Sequence, residues 1–151
     1  MTPKELCRRL VLGLAVSLLA IVPALAGAPQ GIGLSDARVR MVLPSRPAAA
    51  YFTLTNTTDT AIDLVGTSAP DCGSAMMHQS VKKDGVDKMI PVKSVEVPAH
   101  GTLVFAPGGY HIMCMEPSAA VVAGSTMDIT LDFSDGSELT GSFAIGGPAT
   151  K

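Results

Sequence analysis

Residues 75–91, AMMHQSVKKDGVDKMIP, carry the strongest local fold signal in the chain. The Asp84-Gly85 pair inside this stretch is typical of a two-residue β-hairpin turn, because both residue types tolerate a positive φ. A turn at this pair places Lys83 opposite Val86, and the register of both strands follows from that pair. The stretch therefore predicts an antiparallel hairpin with one strand on each side of the turn.

Short strand patterns continue on both sides of this hairpin. Residues 49–55 are rich in β-forming side chains, and residues 127–133 alternate between apolar and polar types. Gly, Pro, Asn and Asp separate eight or nine such segments, with no helical periodicity and no internal repeat. The sequence predicts an all-β fold, an antiparallel sandwich or barrel, formed as a single domain by residues 36–145.

The first 26 residues have the pattern of a signal peptide. Basic side chains lie within positions 4–9, an apolar run occupies positions 10–21, and Ala24-Leu25-Ala26 matches the small-x-small cleavage pattern. Cys7 precedes the apolar run instead of ending it, which is not the position of a lipidated cysteine. The apolar run could instead be an uncleaved membrane anchor, but the Ala-x-Ala pattern favours cleavage after Ala26 and export to the periplasm.

The exported chain would be acidic. Without residues 1–26 it retains eight Lys and Arg against twelve Asp and Glu, a net charge of −4. This balance gives no electrostatic reason to expect nucleic acid or an anionic membrane as a partner. The Gly- and Pro-rich residues 27–35 are expected to be a flexible segment before the domain, and residues 146–151 a C-terminal tail.

Methionine is concentrated in one region, because five of the eight lie between positions 76 and 115. Within it, His78, Met89, His111 and Met113 have the spacing His-x10-Met-x21-His-x-Met. Thioether sulfur and imidazole nitrogen are soft to borderline ligands, and thioether selects Cu(I) over harder divalent ions. Four neutral ligands also suit a monovalent ion that must later be released. The cluster predicts a Cu(I) site.

The predicted hairpin brings the first two candidate ligands together. Its register puts Ser80 opposite Met89, and His78 shares a face with Ser80 because strand side chains alternate. Met89 is then diagonal to His78 and within reach of it. His111 and Met113 share a face for the same reason, so two pairs on separate strands can close on one ion.

This spacing resembles the signature of the periplasmic copper chaperone family PCuAC. The similarity extends to residues 49–56 (AAYFTLTN), 84–86 (DGV), 97–101 (VPAHG) and 107–113 (PGGYHIM), and covers roughly residues 38–145. The resemblance implies a cupredoxin-like β-sandwich that binds Cu(I). It also implies delivery of copper towards the CuA centre of cytochrome oxidase, through a subunit of that enzyme or its assembly factors.

Other Met and His side chains have less defined roles. Met76 shares strand parity with the first ligand pair and Met115 with the second, so each could be an auxiliary ligand or a shield against solvent. Met77 has the opposite parity and is expected to pack in the core. His100 lies in a turn sequence and is expected to be exposed, with no ligand role.

Cys72 and Cys114 are the two cysteines of the exported chain. An even count in an oxidising compartment predicts a disulfide between them, with free thiols or metal ligation as the alternatives. Metal ligation is suggested by the position of Cys114 between Met113 and Met115, because blue-copper sites combine thiolate, His and Met. However, Cys114 has the wrong parity for the face that carries Met113.

These observations are consistent with three functions. The favoured one is that of a protein that binds Cu(I) and passes it to an acceptor. The second is an electron-transfer cupredoxin that uses Cys114, and the third is a non-metal interaction module with a Met-rich core. No motif places a nucleophile–base pair or a general acid, so no enzymatic activity is expected. The two imidazoles could also hold Cu(II).

Overall fold

Ten β-strands account for the regular structure of residues 27–44 and 46–148, the part of the chain that the computed structural model describes. They are β1 (Ile32–Arg40), β2 (Ala48–Asn56), β3 (Ile62–Ser68), β4 (Cys72–Lys83), β5 (Val86–Pro91), β6 (Val95–Val97), β7 (Thr102–Phe105), β8 (Tyr110–Pro117), β9 (Thr126–Phe133) and β10 (Glu138–Gly146). The count exceeds the eight or nine strands expected. The described residues contain no helix capable of spanning a membrane. The predicted signal peptide, residues 1–26, lies outside them.

The strands form one hydrogen-bonded ladder that folds over on itself. Its order is β5-β4-β8-β7-β2-β1-β10-β9-β3-β6, with β8 also pairing with β2. All pairs are antiparallel except β1 with β10 and β7 with β8. β3 contacts β4, and β6 contacts β2 and β7, without sharing ladder hydrogen bonds. The two ends of the ladder therefore face each other, which confirms the predicted cupredoxin-like sandwich.

The predicted hairpin forms in the predicted register. Both residues of the Asp84-Gly85 turn have a positive φ, 54° and 77°. The pairing of β4 with β5 puts Ser80 opposite Met89 and His78 opposite Pro91. Because side chains alternate along a strand, this turn alone decides that Met89 shares a face with His78.

The core lies between the two layers and is filled by alternate side chains of each strand. Phe52 of β2 stacks on Phe105 of β7 at 4.3 Å between ring centroids and meets Phe143 of β10 edge-on at 5.8 Å. All three rings are at most 1% exposed. Burying each one stabilises the fold by about 1.5–3 kcal/mol, so these contacts tie β10 to the layer that contains β2 and β7.

The N-terminal boundary differs from the prediction. Residues 32–35 were expected to belong to a flexible segment, but Ile32 pairs with Asn56 and Ser35 with Thr53 as the first part of β1. The ladder shifts register between Ser35 and Arg38, and Asp36 has a φ of 54°. This bulge interrupts the alternation by which a strand is recognised, so the pattern was visible only after it.

A buried asparagine fastens the end of β2 to two neighbouring segments. Asn56 is 1% exposed, and its amide nitrogen donates to the carbonyl oxygens of Thr60 at 2.8 Å and Val97 at 3.2 Å. Its side-chain oxygen accepts from the backbone N–H of Thr58 at 2.9 Å and from the Thr58 hydroxyl at 2.7 Å. All the polar atoms of this side chain are satisfied, which makes its burial tolerable.

Replacing Asn56 with Ala should lower the free energy of unfolding by about 2–3 kcal/mol, because it leaves buried backbone groups without partners. The neighbouring Thr57, whose hydroxyl donates to the Gly31 carbonyl at an exposed position, is the control. Thr57→Ala should cost less than about 1 kcal/mol. Urea unfolding of both variants measures the difference, and equal losses would contradict the role given to Asn56.

Candidate metal centre

The two central strands of one layer present different residues to their two faces. Met77 of β4 and Ile112 and Cys114 of β8 point into the core and are 4%, 0% and 1% exposed. Their sequence neighbours therefore point outward, together with the side chain of β5 that pairs with Ser80. We call this outward surface of β5, β4 and β8 the metal face. It contains Met76, His78, Ser80, Met89, His111, Met113 and Met115.

The ladder brings the predicted ligands side by side on the metal face. His78 pairs directly with His111, and their ring centroids are 5.9 Å apart with an interplanar angle of 20°. Met113 pairs directly with Met76. Met89 lies opposite Ser80 and is diagonal to His78, a separation of about 7–8 Å that a thioether side chain can bridge. The two same-face pairs predicted from the sequence are thus adjacent.

Exposure changes steadily across this cluster. His111 is 3% exposed, whereas His78 and Met113 are half-buried. Met89 is 60% exposed and lies on β5, the edge strand of the ladder. An ion held by these residues would have a buried imidazole on one side and would be reached from solvent on the side of Met89.

Each histidine of the metal face has one buried ring nitrogen without a hydrogen-bond partner. The Nδ1 atom of His111 is 3.2 Å from the carbonyl oxygen of Gly109, and because a carbonyl can only accept, Nδ1 carries the proton. The Nε2 lone pair is then free, and this buried atom has no hydrogen-bond partner. The buried Nδ1 atom of His78 also has none. Two unpartnered buried nitrogens on adjacent strands fit the donor set of a metal site.

Burial lowers the pKa of His111 below its ordinary value, and the neighbouring His78 lowers it further, while the hydrogen bond to Gly109 opposes both effects. The neutral ring is therefore favoured. A metal binds imidazole through an unprotonated nitrogen, so this environment keeps His111 ready to act as a ligand.

Cys114 and Cys72 are joined by a disulfide in the structure, with their Cα atoms 5.4 Å apart. Cys114 lies on the core side of β8, opposite to the face that carries Met113. The bond connects the beginning of β4 to β8 beneath the metal face. It therefore supports the strand pair that carries the candidate ligands without contributing a sulfur to them.

The remaining Met and His residues occupy different surroundings. Met76 is 44% exposed and directly opposite Met113, while Met115 is opposite Ser74, further from the histidine pair. Met77 is buried in the core, as its parity predicted. His100 is exposed, has a φ of 49°, and its Nε2 lies 2.6 Å from a carboxylate oxygen of Asp59.

Within residues 27–44 and 46–148, no group of three or more His, Cys, Asp or Glu side chains is arranged to hold a metal ion. The metal face itself combines two imidazoles with thioethers. This donor set has the chemistry that favours Cu(I).

Two residues that shape the metal face were not predicted from the sequence. Gly109 fixes the tautomer of His111 through its carbonyl oxygen, a main-chain role that no motif announces. Tyr51 is 8% exposed, points to the same side of β2 as Ala49, and lies under the guanidinium of Arg38 at 5.5 Å. The alternation of residues 48–54 could have placed Tyr51 on this side, but only the register of β2 against β8 brings it near the candidate ligands.

The fold and the imidazole–thioether cluster define a cupredoxin-like sandwich of the PCuAC type, as the sequence resemblance predicted. The solution structure of Cu(I)-DR1885 from Deinococcus radiodurans is 34% identical, with a TM-score of 0.59, over 82% of this chain and 83% of that one. The copper-bound PCuAC domain from PmoF2 has a TM-score of 0.65 at 23% identity, over 78% and 94% of the two chains.

The chain belongs to the family of LpqE-like putative lipoproteins, whose model matches residues 32–145. The putative lipoprotein Lxx21020 of Leifsonia xyli subsp. xyli is 36% identical over 126 residues, which cover 83% of this chain and 75% of that protein. The uncharacterized protein RP573 of Rickettsia prowazekii is 34% identical over 92 residues. That match covers 60% of this chain and about half, 51%, of the Rickettsia protein.

Replacing both Cys72 and Cys114 with Ala should lower the free energy of unfolding by about 4 kcal/mol, because the disulfide closes a long loop in the unfolded chain. The two cysteines are 42 residues apart in sequence. Urea unfolding of the double variant measures the loss. Mass spectrometry of exported protein under non-reducing conditions provides the direct test, and two free thiols there would contradict the bond.

Proposed function

We propose that this protein is an exported copper chaperone that binds Cu(I) on the metal face and hands it to an acceptor protein, without catalysing a reaction. The observation that carries the proposal is the direct pairing of His78 with His111, each with an unpartnered buried ring nitrogen, beside thioethers on the same face. The copper-bound states named for DR1885 and for the PmoF2 domain support it.

In this proposal His78, Met89, His111 and Met113 are the ligands. His111 binds through Nε2, because its Nδ1 donates to the Gly109 carbonyl. Met89 is the ligand most open to solvent, so it is the first to be exchanged for a ligand of the acceptor. Met76 and Met115 shield the ion from water at the edges of the cluster.

The two alternative functions have less support. An electron-transfer site would need the Cys114 thiolate, but this sulfur is bonded to Cys72 and lies on the core side of β8. A non-metal interaction module would not need ring nitrogens buried without partners, since such atoms destabilise a fold that never fills them. Both observations favour copper binding.

Export to the periplasm and delivery towards the CuA centre of cytochrome oxidase complete the proposal. Export is supported by the pattern of residues 1–26 and by relatives that are named putative lipoproteins. The acceptor, a subunit of the oxidase or one of its assembly factors, is inferred from the resemblance to the PCuAC family. An oxidising compartment is also consistent with the Cys72–Cys114 bond.

Met113→Leu should reduce Cu(I) affinity by roughly a hundredfold, equivalent to about 2.8 kcal/mol, because it removes a thioether while keeping the side-chain volume. Cu(II) binding should change much less, since imidazole serves that ion. Anaerobic titration against a competing Cu(I) chelator measures the loss. Met127→Leu, at a 3% exposed core position of β9, is the matched control and should bind as the wild type does.

His111→Ala should weaken the binding of both copper oxidation states, because imidazole is a ligand for either one. His100→Ala should leave both affinities unchanged, since His100 contacts Asp59 instead of the metal face. The same chelator competition, run with Cu(I) and with Cu(II), separates the two variants. Wild-type Cu(I) affinity in His111→Ala, or a loss in His100→Ala, would refute the assigned ligand set.

A further inference from the structure

The metal face continues beyond the candidate ligands onto β2 and β1. Arg40 of β1 pairs with Ala49 of β2, Ala49 pairs with Met113 of β8, and Met113 pairs with Met76 of β4. Their core-facing neighbours, such as Val39 at 1% exposed, are buried, so this row points outward. Strands are about 4.8 Å apart, which places the backbone of Arg40 about 10 Å from that of Met113.

Two guanidinium groups border the candidate copper site at this point. Arg38 lies with its guanidinium 5.5 Å from the centre of the Tyr51 ring, and its Nη1 donates to the Asp36 carbonyl oxygen at 3.2 Å. Arg40 is exposed. Within residues 27–44 and 46–148, the contact between a basic and an acidic side chain at ion-pairing distance is that of His100 with Asp59. Neither guanidinium is therefore neutralised by a carboxylate.

The other charges of the metal face cancel each other. Lys82 of β4 and Asp87 of β5 lie directly opposite one another. With the exposed Asp36 beside Arg38 counted, this surface carries an excess of one positive charge, although the exported chain has a net charge of −4. Four neutral ligands would add the positive charge of a bound Cu(I) to this excess.

The opposite layer of the sandwich is negatively charged. Its strands β10, β9, β3 and β6 contain no Lys or Arg, and their solvent-facing positions carry five carboxylates. Two like-charged pairs are direct cross-strand partners there, Asp63 with Glu96 and Glu138 with Asp132. Such pairs are unfavourable for the sheet itself. The molecule is therefore electrostatically polar, with its positive end at the candidate copper site.

We propose that the metal face, with Arg38 and Arg40, is the docking surface for an acceptor protein whose own docking surface is rich in carboxylates. This inference rests on the proposed function, because it names the partner of the same site. A polar charge distribution orients an incoming acidic surface toward the positive end and speeds encounter. The exposed thioether of Met89 then faces the partner while the acidic layer is turned away from it.

The test uses two synthetic peptides that share one Cu(I)-binding pair of cysteines and differ only in flanking residues, which are glutamate in one and glutamine in the other. Stopped-flow measurement should show faster Cu(I) transfer to the glutamate peptide at about 0.01 M salt. The preference should vanish at about 1 M salt, where the Debye length is about 3 Å. Arg38→Gln/Arg40→Gln should reduce transfer to the glutamate peptide about five- to tenfold.

The matched control is Lys83→Gln/Lys88→Gln, which removes two charges from the opposite face of the β4–β5 hairpin. It should keep the preference for the glutamate peptide, as should Arg38→Lys/Arg40→Lys, which retains the charge. Chelator competition should give all variants the wild-type Cu(I) affinity. The proposed docking surface is wrong if Arg38→Gln/Arg40→Gln keeps the preference for the glutamate peptide. It is also wrong if Lys83→Gln/Lys88→Gln loses as much of that preference as the arginine variant does.

Two further measurements separate this inference from the proposed function. Fluorescence anisotropy of the labelled peptides with metal-free protein tests docking without copper, and the glutamate peptide should bind more tightly in an Arg38- and Arg40-dependent way. Absence of that difference overturns the inference even if Cu(I) binds well. If the double variant folds poorly, Arg40→Gln alone is the substitute, because Arg40 is exposed. This single variant should lose part of the preference for the glutamate peptide, and an unchanged preference would contradict the proposal.

Discussion

The pairing of β4 with β8 is the constraint on which the rest of this protein depends. One register places His78 opposite His111 and, one residue along, Met77 opposite Ile112. The same ladder therefore builds the core with one set of side chains and the candidate copper site with the other. A shift by one residue would turn the imidazoles inward and the core residues outward, so the core and the candidate copper site require the same register.

The Cys72–Cys114 bond reinforces this ladder from the core side. It closes between β4 and β8 on the face away from the thioethers. A bond here holds the two histidine-bearing strands together whether or not an ion is present. It also leaves the candidate donor set without a thiolate, and two imidazoles with two thioethers would form a neutral site suited to a monovalent ion that must later be released.

The two layers of the sandwich carry opposite charge, and the candidate copper site lies on the positive side. The positive border formed by Arg38 and Arg40 lies beside the ligands, whereas carboxylates such as Asp132 and Glu138 cover the opposite layer. Net charge alone would describe the exported protein as acidic and would predict repulsion from an acidic partner. Strand order determines instead which charges border the candidate copper site, and so which charges a partner would meet there.

Local chemistry determined much of this structure from the sequence alone. The Asp84-Gly85 turn and period-two alternation were sufficient for the hairpin register and for the shared faces of both ligand pairs, because these features depend on neighbouring residues. The spacing of His78 through Met113 was likewise sufficient to nominate the ligands and the family.

Other features were decided only by the tertiary structure. The bulge at Asp36 hid the start of β1, because an interrupted alternation has no local signature. The direct pairing of His78 with His111, the carbonyl of Gly109 that fixes the tautomer, and the placement of Arg40 beside Met113 all depend on which strands are neighbours in the ladder. Strand order is set by the packing of the whole core, so residues distant in sequence meet there for reasons that no single segment contains.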